Sequence, residues 1–279
     1  FSGNRKRIIL LSALVVGALL ISGLVTGEIG AGKTTLCRGL LSHLDEDTLV
    51  AFIFNPTLSA IELLKSINED FGIPSRGTTK KELIDELNQF LLDKRQEGKN
   101  TVLIIDESQS LDGEVLEQIR LLSNLETETE KLLQIILIGQ PELRALLARP
   151  EMRQLAQRVT ARYHLEPIAQ QEVSGYIQHR LQICGASHIV FSKRTVDLIR
   201  RLSGGVPRLI NVLCDRALLG AYVEGNSRVD SKVVRKAARE VLAEESEPPA
   251  TSWWLPASAG GLLLAVIAVV AWQYRPLPT

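Results

Sequence analysis

The chain has 279 residues, enough to bury a large core and to fill one large domain or two smaller ones. Charged residues at 23% and apolar residues at 45% are near ordinary globular usage, which excludes a disordered chain. Lys plus Arg equals Asp plus Glu at 32 each, so no overall field draws the protein to nucleic acid or to anionic lipid, and any such contact must be local.

The first element is a nearly unbroken apolar run from Ile8 to Val25, preceded by Arg5, Lys6 and Arg7. At about 18 residues it sits at the lower edge of what spans a bilayer. It ends against Gly27-Glu28-Ile29-Gly30-Ala31-Gly32-Lys33-Thr34, which fits GxxxxGK[ST] throughout. A loop of that kind needs a buried parallel strand directly before its first glycine. The run therefore divides into a helix from Arg5 to about Ala18 and a central strand from about Leu20 to Thr26, broken at Gly17 and Ser22-Gly23. Leu36 to Leu44 continues as a helix behind the loop.

Leu49 to Asn55 (LVAFIFN) reads as a short buried strand stopped by Pro56. Ser59 with Glu62, and Thr79 with Glu82, form two capping boxes, each opening a helix. In the second helix Leu83, Ile84, Leu87, Phe90 and Leu91 recur at helical spacing. Thr101 to Ile105 is another strand, ending on Asp106 and Glu107, followed by a helix with Val115, Leu116, Ile119 and Leu122 on one side. Leu132 to Ile138 is a further strand, and Gly139, Gln140 and Pro141 turn into the next helix. Strands alternating with helices predict a parallel sheet covered by helices.

Past about Pro167 only helical patterns remain. Val173, Tyr176, Ile177, Leu181 and Cys184 line one stripe, and Leu209, Ile210, Leu213, Cys214 and Ala217 another. The three cysteines, Cys37, Cys184 and Cys214, have no metal-binding spacing and read as reduced core residues of a cytosolic compartment. A polar, proline-containing linker follows from Glu244 to Ser252. From Leu255 to Tyr274 the chain is uncharged and apolar, with Trp253, Trp254, Trp272 and Tyr274 at its ends, the pattern of a transmembrane helix with an aromatic belt. Lys232, Arg235, Lys236 and Arg239 precede it and only Arg275 follows, which puts the main domain on the cytoplasmic side. The expected organisation is an α/β nucleotide-binding core over 1–166, a helical lid over 167–243, a linker over 244–252 and a membrane helix over 253–274.

The glycine-rich loop supplies the chemistry. Its backbone N–H groups, from Gly27 through Glu28, Ile29, Gly30, Ala31 and Gly32 to Lys33, Thr34 and Thr35, turn inward around phosphate oxygens. Lys33 reaches the β- and γ-phosphates, and the Thr34 hydroxyl ligates Mg²⁺. Asp106 is placed to hold Mg²⁺ through water and Glu107 to polarise an attacking water. Gln140 lies where a γ-phosphate sensor would be; a turn or cap residue reads equally well. Arg158, between a helix and a last strand, could reach the nucleotide of a neighbouring subunit, with Arg153 and Arg162 as competitors. Arg208, beside Pro207 in the first turn of a lid helix, could swing onto the γ-phosphate.

With these residues in hand, the chain resembles the AAA+ ATPases. Within them it resembles the secretion ATPases of the general secretion pathway protein A and MSHA pilus biogenesis type. The strings that carry the resemblance are TGEIGAGKTTLCR (Thr26 to Arg38), IIDESQ (Ile104 to Gln109), EQIRLLSNLETETEKLLQIILIGQPEL (Glu117 to Leu143), LAQRVTARYHLEPI (Leu155 to Ile168) and GGVPRLINVLCDRALL (Gly204 to Leu219). The resemblance implies a P-loop AAA+ fold with an all-α lid, with ATP and Mg²⁺ as ligands. Lys33 and Thr34 would be Walker A residues, Asp106 and Glu107 the Walker B pair, Gln140 sensor 1, Arg158 the arginine finger and Arg208 sensor 2. It also implies a homo-oligomer, single-pass in the bacterial inner membrane, that works with secretion or pilus assembly proteins. The alternative is a DNA-associated AAA+ switch. Zero net charge, the membrane helix and the lack of a recognisable DNA-binding module argue against nucleic acid as a partner.

Overall fold

The computed structural model describes residues 22–246, apart from 43, 55–57, 129 and 187–189. The expected first helix and the expected membrane helix at 253–274 lie outside the described residues. Among the described residues no helix is long and apolar enough to cross a membrane.

Five parallel strands make one sheet: β1 (Ser22–Gly27), β2 (Thr48–Ile53), β3 (Asn100–Ile105), β4 (Gln134–Gly139) and β5 (Val159–Leu165), in the order β2-β3-β4-β1-β5. Each expected strand is present, and where both ends fall on described residues they are shifted by at most two residues. Ser22 and Gly23, expected as a break, both belong to β1, where the pairing with β5 shifts register between them. β3 and β4 are buried nearly throughout, as strands covered on both faces must be.

The crossovers assign the faces. The connection from β1 to β2 passes over β4 and β3 and carries helix α1 (Lys33–Leu41). Its Leu36, Cys37 and Leu40 pack with Val25, Val102, Ile104, Ile136 and Ile138. The other connections run in the opposite sense and, being right-handed, lie on the opposite face. That face holds α2 (Ala60–Asp70), α3 (Lys80–Gln96), α4 (Gly113–Leu122), α5 (Glu142–Leu147) and α6 (Arg153–Arg158), packed on Leu24, Ala51, Leu103, Ile105, Ile135 and Leu137. Both capping boxes are formed, with Ser59 and Thr79 as N-caps of α2 and α3. Reversal of crossover direction next to β1 opens a crevice at the carboxyl ends of the strands, where ligands bind in open α/β sheets.

Beyond β5 the chain is helical: α7 (Val173–Ile183), α8 (Lys193–Ser203), α9 (Pro207–Val223) and α10 (Ser231–Ser246). They have a core of their own, including Val173, Ile177, Ile199, Ile210, Leu213, Ala217, Val234 and Ala238. Two expectations are corrected here. α10 runs to Ser246, into the span expected as linker, because Glu244 and Glu245 are good helix formers and the helix-incompatible Pro248 comes later. Cys184 is exposed rather than part of the core, since it caps the end of α7 and the apolar stripe stops before it. Cys37 is buried and Cys214 half-buried, and all three thiols are free.

Candidate nucleotide site

The site is built at the carboxyl ends of β1, β3 and β4. After β1 the loop turns through Gly30 and Gly32 at φ 75° and 96°, a backbone region that only glycine enters at little cost. Lys33, at the start of α1, is 7% exposed, and its ammonium donates to the carbonyls of Gly27 at 2.9 Å and Glu28 at 3.2 Å. Those partners are neutral. A buried ammonium held by neutral carbonyls is a site that favours an anion.

Next to it, the Thr34 hydroxyl donates to Asp106 Oδ2 at 2.7 Å, although the two residues are 72 apart in sequence. Asp106 is 3% exposed, and its other oxygen accepts from the Glu107 backbone N–H at 2.9 Å. Its hydrogen-bond partners among the described residues are a hydroxyl and an amide, both neutral. Hard oxygen donors of this kind suit Mg²⁺, which keeps most of its waters and takes few protein ligands. The residues present therefore fit the metal. Cys37, one turn into α1, has its thiol pushed up to about 12, first by burial and then by the charge of Asp106, so it stays a neutral packing group.

Glu107 has φ 52° and ψ 35°, the left-handed region, and it is the non-glycine residue with positive φ among the described residues. Such strain costs about 1–3 kcal/mol and collects at functional sites. Its Oε2 accepts from Gln109 Nε2 at 2.6 Å, and Gln140 Nε2 stands 3.5 Å away. Gln109 Oε1 in turn accepts from the Gln140 backbone N–H at 3.0 Å. Gln109 was not among the expected site residues. The string IIDESQ contains it, but its role depends on the end of β4, which no local pattern announces.

The first turn of α9 meets the loop at Gly30. The Arg208 backbone N–H donates to Gly30 O at 3.2 Å, and a Cβ on Gly30 would lie 2.6 Å from Arg208 Cβ. Arg208 thus stands over the loop, with its side chain exposed. Arg158 stands apart from these groups. At the end of α6, its Nη1 donates to the carbonyl of Ser123, the C-cap of α4, at 2.9 Å. The negative end of a helix is a favourable seat for a guanidinium. Of its competitors, Arg153 is exposed, and Arg162 donates to the carbonyl of Ala156 at 2.9 Å.

Residues 22–147 match the AAA domain family. The sequence is 44% identical over 252 residues to General secretion pathway protein A of Aeromonas hydrophila, a match covering 90% of this chain and 46% of the relative. The resemblance is borne out. The chain spans about half the length of that relative. Among solved structures, the fold is similar to the Aeropyrum pernix ORC2 protein, with TM-score 0.64 and 20% identity over 86% of this chain and 67% of the other. It is also similar to Cdc6p of Pyrobaculum aerophilum, with TM-score 0.68 and 18% identity over 85% and 66%. The Thermotoga maritima RuvB Holliday junction branch migration motor gives 0.58 and 20% over 85% and 68%. At such identities these likenesses establish the fold alone. The AAA domain and the secretion relative together support ATPase activity.

Proposed function

We propose that this protein is an Mg²⁺-dependent ATPase held in the bacterial inner membrane by the apolar stretch at 253–274. Its ATPase core and lid face the cytoplasm, and it serves assembly of a type II secretion or type IV pilus-like envelope apparatus. The observation that carries the reading is the convergence of buried Lys33 with the Thr34–Asp106 pair at the mouth of the glycine-rich loop.

The loop N–H groups and Lys33 bind the phosphates of ATP. Thr34 and Asp106 would hold Mg²⁺, which would supply neutralisation of phosphate charge. Glu107 accepts a proton from water as the water oxygen attacks the γ-phosphorus and the bond to the bridging β,γ-oxygen breaks, giving ADP and phosphate. Gln140 senses the γ-phosphate, Arg208 brings the lid onto it, and Arg158 completes the site of a neighbouring copy. The secretion role rests on the Aeromonas hydrophila relative. The fold's likeness to ORC2, Cdc6p and RuvB is a likeness of fold, and it does not favour the DNA-associated reading.

The test is turnover by the wild-type chain, Lys33→Ala and Glu107→Gln. The first substitution should abolish nucleotide binding and turnover. The second should bind ATP normally and hydrolyse it at least about 100-fold more slowly. Equal activity in all three sinks the enzyme reading.

A further inference from the structure

We propose that Gln109 is a positioning residue for ATP hydrolysis, whose side-chain amide locks the Glu107 carboxylate to the end of β4. The proposal rests on the ATPase reading above. It adds a residue that neither the loop motif nor the Asp-Glu pair supplies.

The geometry is a two-sided clamp. Gln109 lies in a tight turn directly after Glu107, pinned by Ser108 Oγ donating to Ile105 O at 2.8 Å and by Ser110 N donating to Glu107 O at 3.0 Å. The Gln140 backbone N–H can donate only to an oxygen, so its 3.0 Å contact fixes which end of the amide is Oε1. The amide nitrogen is then left facing Glu107 Oε2 at 2.6 Å, and a carboxylate is the acceptor it needs. Both ends of the side chain are satisfied in one orientation. Gly139 makes room for it, because a Cβ there would lie 2.7 Å from Gln109 Oε1 and 2.9 Å from Leu143 Cδ2.

The function follows from the geometry. Glu107 has three rotatable side-chain bonds and sits on a strained backbone; unheld, its carboxylate would spread over several rotamers. The clamp ties it to the residue expected to sense the γ-phosphate, so base and phosphate sensor share one frame. The Gln140 side-chain amide, 3.5 Å from Glu107, makes only a marginal bond there and can be withdrawn toward a phosphate without freeing the carboxylate. Orientation of this kind acts on the chemical step and not on nucleotide binding. Asparagine, one methylene shorter, cannot bridge both partners.

The experiment is steady-state ATP turnover by the full chain, with Kd for a non-hydrolysable ATP analogue, for wild type, Gln109→Ala and Gln109→Glu. Both variants should lose about 10-fold or more in kcat, with KM and Kd within about twofold of wild type. Glutamate keeps the volume over Gly139 and an oxygen for the Gln140 N–H, and it replaces the donor to Glu107 by a like charge. A purely structural Gln109 would leave kcat close to wild type in any variant that folds, and wild-type kcat in Gln109→Glu or in folded Gln109→Ala overturns the proposal. A KM and Kd that worsen in step with kcat overturn it too. If Gln109→Ala fails to fold, the isosteric glutamate variant decides. A wild type without turnover overturns the ATPase reading itself, and the proposal with it.

Discussion

Replacing Gly30 by alanine should cost about 2–5 kcal/mol, and roughly half of that should vanish when Arg208 is also replaced by glycine. Two separate effects add. At φ 75° a Cβ meets the neighbouring carbonyl, an intrinsic cost of about 1–2 kcal/mol. The new Cβ would also stand 2.6 Å from Arg208 Cβ, about 1 Å inside van der Waals contact. The N-terminus of α9 cannot retreat without stretching the 3.2 Å bond from Arg208 N to Gly30 O, so relief by overpacking costs a further 1–3 kcal/mol or so. In an Arg208→Gly background the clash is gone and only the backbone strain remains. Urea unfolding of the four proteins in a double-mutant cycle should then give a coupling of about 1–3 kcal/mol between the two sites. Equal cost of Gly30→Ala in both backgrounds, within about 0.5 kcal/mol, would refute the contact between α9 and the loop.

Arg158→Ala should lower turnover about 10³-fold, the scale of a missing arginine finger, and lose a further 1 kcal/mol or so of stability with the bond to Ser123. If Arg158 acts on a neighbouring copy, mixing Arg158→Ala with Lys33→Ala should restore activity that neither has alone, and turnover should rise steeply with protein concentration. Thiol labelling at pH 8 should modify exposed Cys184 quickly and leave Cys37 and Cys214 largely untouched. Burial, aided by the charges of Asp106 and Asp215 respectively, pushes both thiols up to about 12, leaving about one thiolate in 10⁴ at that pH. Fast labelling of all three in the folded chain would contradict this packing. The capping-box carboxylates of Glu62 and Glu82 are held below the ordinary value of 4.5 by hydrogen bonds, from Ser59 to Glu62 and from Thr78 and Thr79 to Glu82. A folded value below the unfolded one means their contribution is fully present above about pH 4.5 and is lost as pH falls through the folded values. A Glu62→Gln, Glu82→Gln double variant should accordingly be less stable than wild type at pH 7 and should converge on it in acid, as read by thermal unfolding across pH.

What could be read from the sequence divides along a physical line. Strands β2, β3 and β4, the two capping boxes and the loop were legible because their causes lie within a few residues: an apolar run, a hydroxyl three residues before a glutamate, glycines before a lysine. The pairing of Thr34 with Asp106 was legible at one remove, since a glycine-rich loop and an Asp-Glu pair at strand ends have few ways to meet in a parallel sheet. Gln109 and Ser123 were not legible. A glutamine two residues past a strand is an ordinary turn residue until β4 brings the Gln140 N–H to it across 31 residues, and Ser123 is an ordinary helix end until Arg158 arrives from 35 residues on. Cys184 failed for the opposite reason, because helical spacing extrapolates a stripe past the point where the helix stops. Recognition of the chemistry thus depends on residue types in local order, whereas its positioning depends on closure of the sheet. A substitution at Gln109 or Ser123 can therefore leave every motif of the chain intact and still alter the geometry in which those motifs act.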